Sequence, residues 1–189
     1  VALNKKAIPG FEELMAEHGK AFDPAAFEAM AEHMEALVLD TRDAESFANG
    51  HIPGSINIGL DGQFAPWVGA LISDIQQNIL VVAAEGREEE SIKRLARVGY
   101  DRVLGFLEGG FAAWQSEKRD FDTVKRINAD ELAAVCSSNP TATVLDVRKT
   151  SENYSERLPS AINLPLDDLN VRFNELPEAD TLYIHCAGG

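Results

Sequence analysis

A stretch of 24 residues occurs twice in this chain, and only a duplicated fold accommodates the repetition. LVLDTRDAESFANGHIPGSINIGL (37–60) aligns without gaps onto TVLDVRKTSENYSERLPSAINLPL (143–166), 106 residues later. Eight positions are identical: Val38/Val144, Leu39/Leu145, Asp40/Asp146, Arg42/Arg148, Pro53/Pro159, Ile56/Ile162, Asn57/Asn163 and Leu60/Leu166. A second echo pairs NILVVAAEG (78–86) with TLYIHCAGG (181–189), at an offset of 103. A period near 100 residues marks a domain duplication, whereas solenoid repeats run about 20–50 residues.

Each copy alternates strand and helix signals. In the first, Asp23-Pro24 supplies an N-cap and a first-turn proline, and Phe27, Met30, Ala31 and Met34 follow at helical spacing. Leu37–Asp40 and the uniformly apolar Ile79–Ala84 read as strands, the latter covered on both faces. Glu88–Val98 reads as a helix with acids in its first turn, bases later, i,i+4 pairs Glu89–Lys93 and Glu90–Arg94, and Gly99 as its stop. Val103–Leu107 is a further strand, and Gly110–Ser116 opens a closing helix. The second copy restarts at Asn128 with Glu131 three residues on, close to a capping box. This order implies an α/β fold of two domains, each a mainly parallel sheet with helices on both faces.

The expected division is a junction segment 1–20, a first domain 21–116, a charged linker 117–126 and a second domain 127–189. The first copy carries a helix, a strand and a closing helix after Gly86, whereas the equivalent glycine of the second, Gly189, is the final residue. The second sheet is therefore expected to be incomplete, with apolar faces uncovered and a natural chain continuing beyond Gly189.

Charge narrows the partners. Seventeen Lys+Arg against 31 Asp+Glu gives −14, and both halves are acidic. With no basic stripe, neither nucleic acid nor an anionic membrane is an expected partner. No apolar run approaches the roughly 20 residues that span a bilayer. Two cysteines, Cys136 and Cys186, make no disulfide scaffold and fit a reducing cytoplasm. The four histidines (18, 33, 51 and 185) show no metal spacing, so neither metal nor cofactor is expected.

LVLDTRDAESFANGHIPGSINI resembles the strand–turn–strand signature of rhodanese-like domains. VLDVRKTSENYSERLPSAINLPL is a poorer copy, with Arg157 in place of His51 and Ser160 in place of Gly54, and YIHCAGG resembles the start of the rhodanese active-site loop. The resemblance implies compact α/β domains, often in tandem with one copy inactive, and sulfane-sulfur transfer through a cysteine persulfide. GREEESIKRLARVGYDRVLGFLEGGFAAW (86–114) resembles the degenerate rhodanese-like domain of proteins that begin with a metallo-β-lactamase fold, several of them persulfide dioxygenases. The Met-less start VALNKKAIPG would then be the junction with such an upstream domain.

The residues themselves point to Cys186 as the nucleophile. A cysteine straight after a buried strand sits where an α/β sheet places its ligands. The backbone of Ala187, Gly188 and Gly189 is expected to curl into an anion-binding nest that favours thiolate and holds an anionic donor. The expected donors are thiosulfate or a small persulfide, and the acceptors a thiol or cyanide. In the first copy Ala83 replaces Cys186, and Glu85, Glu88, Glu89 and Glu90 crowd the loop, so this half is expected to be a docking or structural partner. Asp40–Arg42 and Asp146–Arg148 read as local strand-end ion pairs and His51 as a turn residue. Cys136 reads as core beside Leu132, with a resolving thiol for Cys186 as the alternative, and Trp67 and Trp114 as packing. Two other readings stand beside the enzyme: a non-catalytic tail of a larger metallo-β-lactamase-fold protein, and phosphatase chemistry, since some dual-specificity phosphatases share the fold with a longer loop.

Overall fold

The computed structural model describes residues 19–187. Most of the expected junction segment 1–20 lies outside the described residues, as do two of the expected loop residues, Gly188 and Gly189. The chain divides into two compact units between Lys125 and Arg126.

Unit one runs β1 (Ala21–Phe22), α1 (Pro24–His33), β2 (Leu37–Asp40), α2 (Ala44–Asn49), β3 (Ile56–Asn57), α3 (Phe64–Leu71), β4 (Ile79–Val82), α4 (Glu88–Arg97), β5 (Val103–Leu107) and α5 (Gly110–Ser116). Its five strands are all parallel, in the order β1-β5-β4-β2-β3. Side chains alternate across the sheet and build two cores. Leu39, Ile79 and Val81 pack with Phe64, Val68, Ile92 and Leu95 of α3 and α4 on one face. Val38, Leu80 and Val82 pack with Phe27, Phe111 and Trp114 of α1 and α5 on the other. All four residues of β4 are buried, which is why its sequence shows no polar alternation.

Local chemistry sets the helix ends. The Asp23 carboxylate accepts from Ala26 N–H at 2.8 Å to cap α1, and Glu90 pairs with Arg94 one turn on in α4. Trp67 and Trp114 both serve packing: Trp67 lies against the first core, and Trp114 is buried edge-on to Phe27. Residues 120–124, inside the segment read as a linker, bond back onto unit one. His51 and Asp122 exchange backbone hydrogen bonds, Val124 N–H donates to Ala48 O, and Trp114 Nε1–H donates to Asp120 O.

Unit two repeats the beginning of this plan with α6 (Ala129–Ser138), β6 (Thr143–Asp146), α7 (Thr150–Ser155) and β7 (Ile162–Asn163). A short α8 (Leu169–Arg172) lies between two 3-10 turns, and β8 (Leu182–His185) follows. Its three described strands are parallel, in the order β7-β6-β8. The register is that of unit one: Asp146 pairs with Asn163 and His185 as Asp40 pairs with Asn57 and Val82. The capping box read from Asn128 and Glu131 is complete, with Glu131 N–H donating to Asn128 Oδ1 and Asn128 N–H to Glu131 Oε2.

Burial separates the two units. Ile184 of β8 is 62% exposed, whereas its counterpart Val81 is fully buried between β2 and β5. Val171 and Phe173, in the helical segment before β8, are also exposed, and β8 is an edge strand among the described residues. One expectation needs correction: Cys136 is half-buried and α6 has no buried residue, so this cysteine is not core. Leu132 holds the place of Phe27, four residues after the N-cap, and is half-buried where Phe27 is fully buried.

One glycine in unit one has no substitute. The pairing of β5 with β4 shifts register between Ile79 and Leu80, and Gly105 has φ +155° with Lys20 O only 2.2 Å from where a Cβ would stand. Gly105→Ala must push β1 away from β5. It is expected to destabilise unit one by about 2–3 kcal/mol, read from the urea midpoint of unfolding.

Candidate active site

The carboxyl ends of β6 and β8 meet at Asp146 and His185, at the sheet edge where parallel α/β folds bind ligands. Val147 N–H donates to His185 O at 3.1 Å, and Leu164 N–H donates to Asp146 O at 3.0 Å. Asn163 stitches the turn from the other side, its Nδ2–H donating to Asp146 O at 2.9 Å and to Arg148 O at 3.0 Å.

Asp146 is the buried centre of this region, with none of its surface exposed. Its Oδ1 accepts from Arg148 N–H and Nε–H at 3.0 and 2.9 Å, and its Oδ2 accepts from Arg148 Nη2–H at 2.7 Å and Asn153 Nδ2–H at 2.9 Å. Arg148 Nη2–H also donates to Glu156 O, so one guanidinium ties the strand end to the residue after α7. The spacing in Asp-Val-Arg produces this geometry: the carboxylate ends the strand, and the arginine two residues on folds back over it. Hydrogen bonds from Arg148 outweigh burial and hold the Asp146 carboxyl well below the usual carboxylate range. The carboxylate in turn raises the Arg148 guanidinium above its ordinary value.

Unit one carries the same pair. Arg42 Nε–H and Nη2–H donate to the Asp40 carboxylate, and Nη2–H donates to Gly50 O at 2.8 Å. The pair is thus a strand-end brace, and the unit without a thiol has it too. His51 is also structural: its Nδ1 lies 3.0 Å from Phe47 O and its ring stacks on Phe47 with centroids 3.9 Å apart.

Cys186 follows β8 directly and is exposed, as is Ala187. At the equivalent place in unit one, Ala83 is buried at 3% exposure. The loop after it turns at Gly86 (φ +76°), whose N–H donates to the Glu88 carboxylate at 3.2 Å. Arg87, a base that the sequence reading passed over, is held by both Asp61 and Glu90.

Two further side chains were not anticipated. His185 Nε2 is buried without a hydrogen-bond partner among the described residues and lies 3.8 Å from Asp146 Oδ2, and Asn153 donates to the same oxygen. Both replace apolar residues of the first copy, Val82 and Phe47, and that polar-for-apolar exchange was the available clue. Among the described residues no group of three His, Cys, Asp or Glu side chains is placed to hold a metal ion, and no helix is long and apolar enough to cross a membrane.

Stability should follow the Asp146 brace. Because its folded-state pKa lies below the unfolded one, the brace is at full strength above the ordinary carboxylate range and weakens as pH falls through about 4 and below. Asp146→Asn is expected to lower the melting temperature of unit two by about 4–8 °C at neutral pH. The gap from wild type should close as the pH is lowered, which calorimetry across pH 3–7 checks.

Comparison with known proteins places these features among relatives. The family described as Rhodanese-like domain matches residues 23–117 and 128–189. The thiosulfate sulfurtransferase GlpE of Shewanella oneidensis is 34% identical over 86 residues, which are 45% of this chain and 81% of that protein. GlpE of Stutzerimonas stutzeri is 35% identical over 82 residues, 42% of this chain and 71% of that protein. Among solved structures, the crystal structure of thiosulfate sulfurtransferase from Pseudomonas aeruginosa superposes with a TM-score of 0.49 at 22% identity, covering 88% of this chain and 36% of that one.

Proposed function

Because the chain belongs to the rhodanese-like domain family through both of its units, we propose that it is a sulfurtransferase whose nucleophile is Cys186. The observation that carries this reading is an exposed thiol at the carboxyl end of a parallel strand, in the unit whose strand-end residues differ from those of its thiol-free twin. The chemistry runs in two displacements. The Cys186 thiolate attacks the outer sulfur of thiosulfate, the sulfur–sulfur bond breaks, and sulfite leaves with the bonding pair. With a small persulfide as donor, a thiolate leaves instead. The terminal sulfur of the Cys186 persulfide is then attacked by an acceptor thiolate or by cyanide. The products are a new persulfide or thiocyanate, and the Cys186 thiolate is restored.

The backbone of Ala187, Gly188 and Gly189 is assigned the holding of the anionic donor through its N–H groups. Unit one takes no part in the transfer, since a buried alanine methyl at position 83 cannot carry sulfur. No metal or cofactor enters the scheme, and a reducing cytoplasm is the setting that suits a working thiol.

A second reading has an observation of its own in Ala83. A copy that kept the brace and lost the nucleophile is what a docking or regulatory tail of a larger, metallo-β-lactamase-fold enzyme would contain. The two readings separate in one measurement. Intact-mass spectrometry after treatment with thiosulfate should find one added sulfur atom on the wild type and on Cys136→Ser. It should find none on Cys186→Ser, which should also lose transfer to cyanide or glutathione. No adduct on Cys186 in the wild type would favour the docking reading.

A further inference from the structure

The turn on which the unit-one brace lands carries a covalent reactivity of its own. Asn49 closes α2 and is the one asparagine in the sequence followed directly by glycine. It is exposed, and among the described residues no hydrogen bond holds its carboxamide. Gly50 is buried and fixed on every side. Its N–H donates to Phe47 O at 3.1 Å, and its carbonyl accepts from Arg42 Nη2–H at 2.8 Å. Phe111 Cε1 lies 2.8 Å from where a Cβ would stand, and Arg42 covers that ring at 4.5 Å from its centroid. A side chain at position 50 would meet the ring, so the exposed amide is followed by the residue that shields its own backbone nitrogen least.

We propose that Asn49 is a site of spontaneous deamidation and that the Asp40–Arg42 brace is the gate that holds the reaction back. The chemistry needs water and a solvent base. Gly50 N gives up its proton to the base and bonds to Asn49 Cγ. The Cγ–Nδ2 bond then breaks, and Nδ2 leaves as ammonia with a proton from water. A cyclic imide across the two residues remains. Water opens it at Cγ to give aspartate in an unaltered chain, or at the main-chain carbonyl carbon to give isoaspartate, with the chain running through Cγ. Nothing is oxidised or reduced. In the closed turn the two peptide planes flanking Gly50 Cα are both fixed, one by Phe47 O and one by Arg42, so cyclisation proceeds from the locally opened turn. Isoaspartate places one more atom in the main chain just ahead of the carbonyl that Arg42 must reach, so the brace does not close again as before. Unit two has Ser155 and Glu156 at these places, and a serine has no amide to lose.

The experiment incubates the whole chain in mildly alkaline buffer over days. Tandem mass spectrometry of the peptide carrying Asn49 reads the exchange of an amide for an acid. Conversion should be fastest in concentrated urea, where no gate exists. The native chain should convert about ten- to a hundredfold more slowly, the factor that a charge-assisted hydrogen bond is worth. Arg42→Lys keeps a cation for the buried Asp40 carboxylate but lacks the planar fork that reaches Gly50 O at the same time, and it should speed native conversion about tenfold. Gly105→Ala weakens unit one at the pairing of β1 with β5 and should leave the rate within about twofold of the native one, because local opening does not need global unfolding. An Asn49 that stays intact in urea, a native rate equal to that in urea, or an Arg42→Lys rate equal to the native one overturns the proposal. So does an acceleration in Gly105→Ala as large as that in Arg42→Lys, which would route the reaction through unfolding of the whole unit.

Discussion

A buried carboxylate at the end of one parallel strand, β2 or β6, organises each half of this protein. Asp40 and Asp146 sit at 1% and 0% exposure, and each is matched by the arginine two residues on. A buried anion is tolerated only when its oxygens are occupied, so the turn after the strand must fold back to bring the guanidinium over it. The same guanidinium then reaches a backbone carbonyl eight residues on, Gly50 or Glu156. An asparagine on the neighbouring strand, Asn57 or Asn163, closes the turn from the other side. Six of the eight identities in the aligned stretch fall on this brace or on the two strands that carry it, and only the Pro53/Pro159 and Leu60/Leu166 pairs lie elsewhere.

The brace is the same in both copies, while the residues at the tip of the next strand differ. It fixes where the strand ends and how the chain leaves the sheet, and asks nothing of the residue at the tip of the next strand. Unit one places a buried alanine there and engages its loop arginine, Arg87, with Asp61 and Glu90. Unit two places a cysteine in solvent and surrounds the adjoining strand end with polar side chains. The fold is common to both, and a few side chains at one edge distinguish them.

The two sheets also differ in cover. In unit one the second core strand is enclosed by β2, β5 and helices on both faces, and its residues show no exposure. In unit two β8 has β6 on one side, and Ile184 faces solvent. The thiol therefore sits on a strand that the described residues support from one side. There the hydrogen bond from Val147 to His185 and the contact with Asp146 hold the strand tip.

Much of this was legible in the residues alone. The duplication, the order of strands and helices, the all-apolar strand, the capping box and the strand-end pairs are local or periodic features. Each is dictated by chemistry between residues close in sequence, or by the number of faces a strand must bury. What needed three dimensions was whatever depends on residues far apart in the chain. The half-burial of Cys136 depends on what lies across from α6, not on the helical spacing that made it look like core. The return of residues 120–124 onto His51 and Ala48 depends on where α5 ends, which charge composition does not encode. The meeting of His185 with Asp146, 39 positions apart, is settled by strand register, and a pairing shift of one residue would have turned that imidazole away.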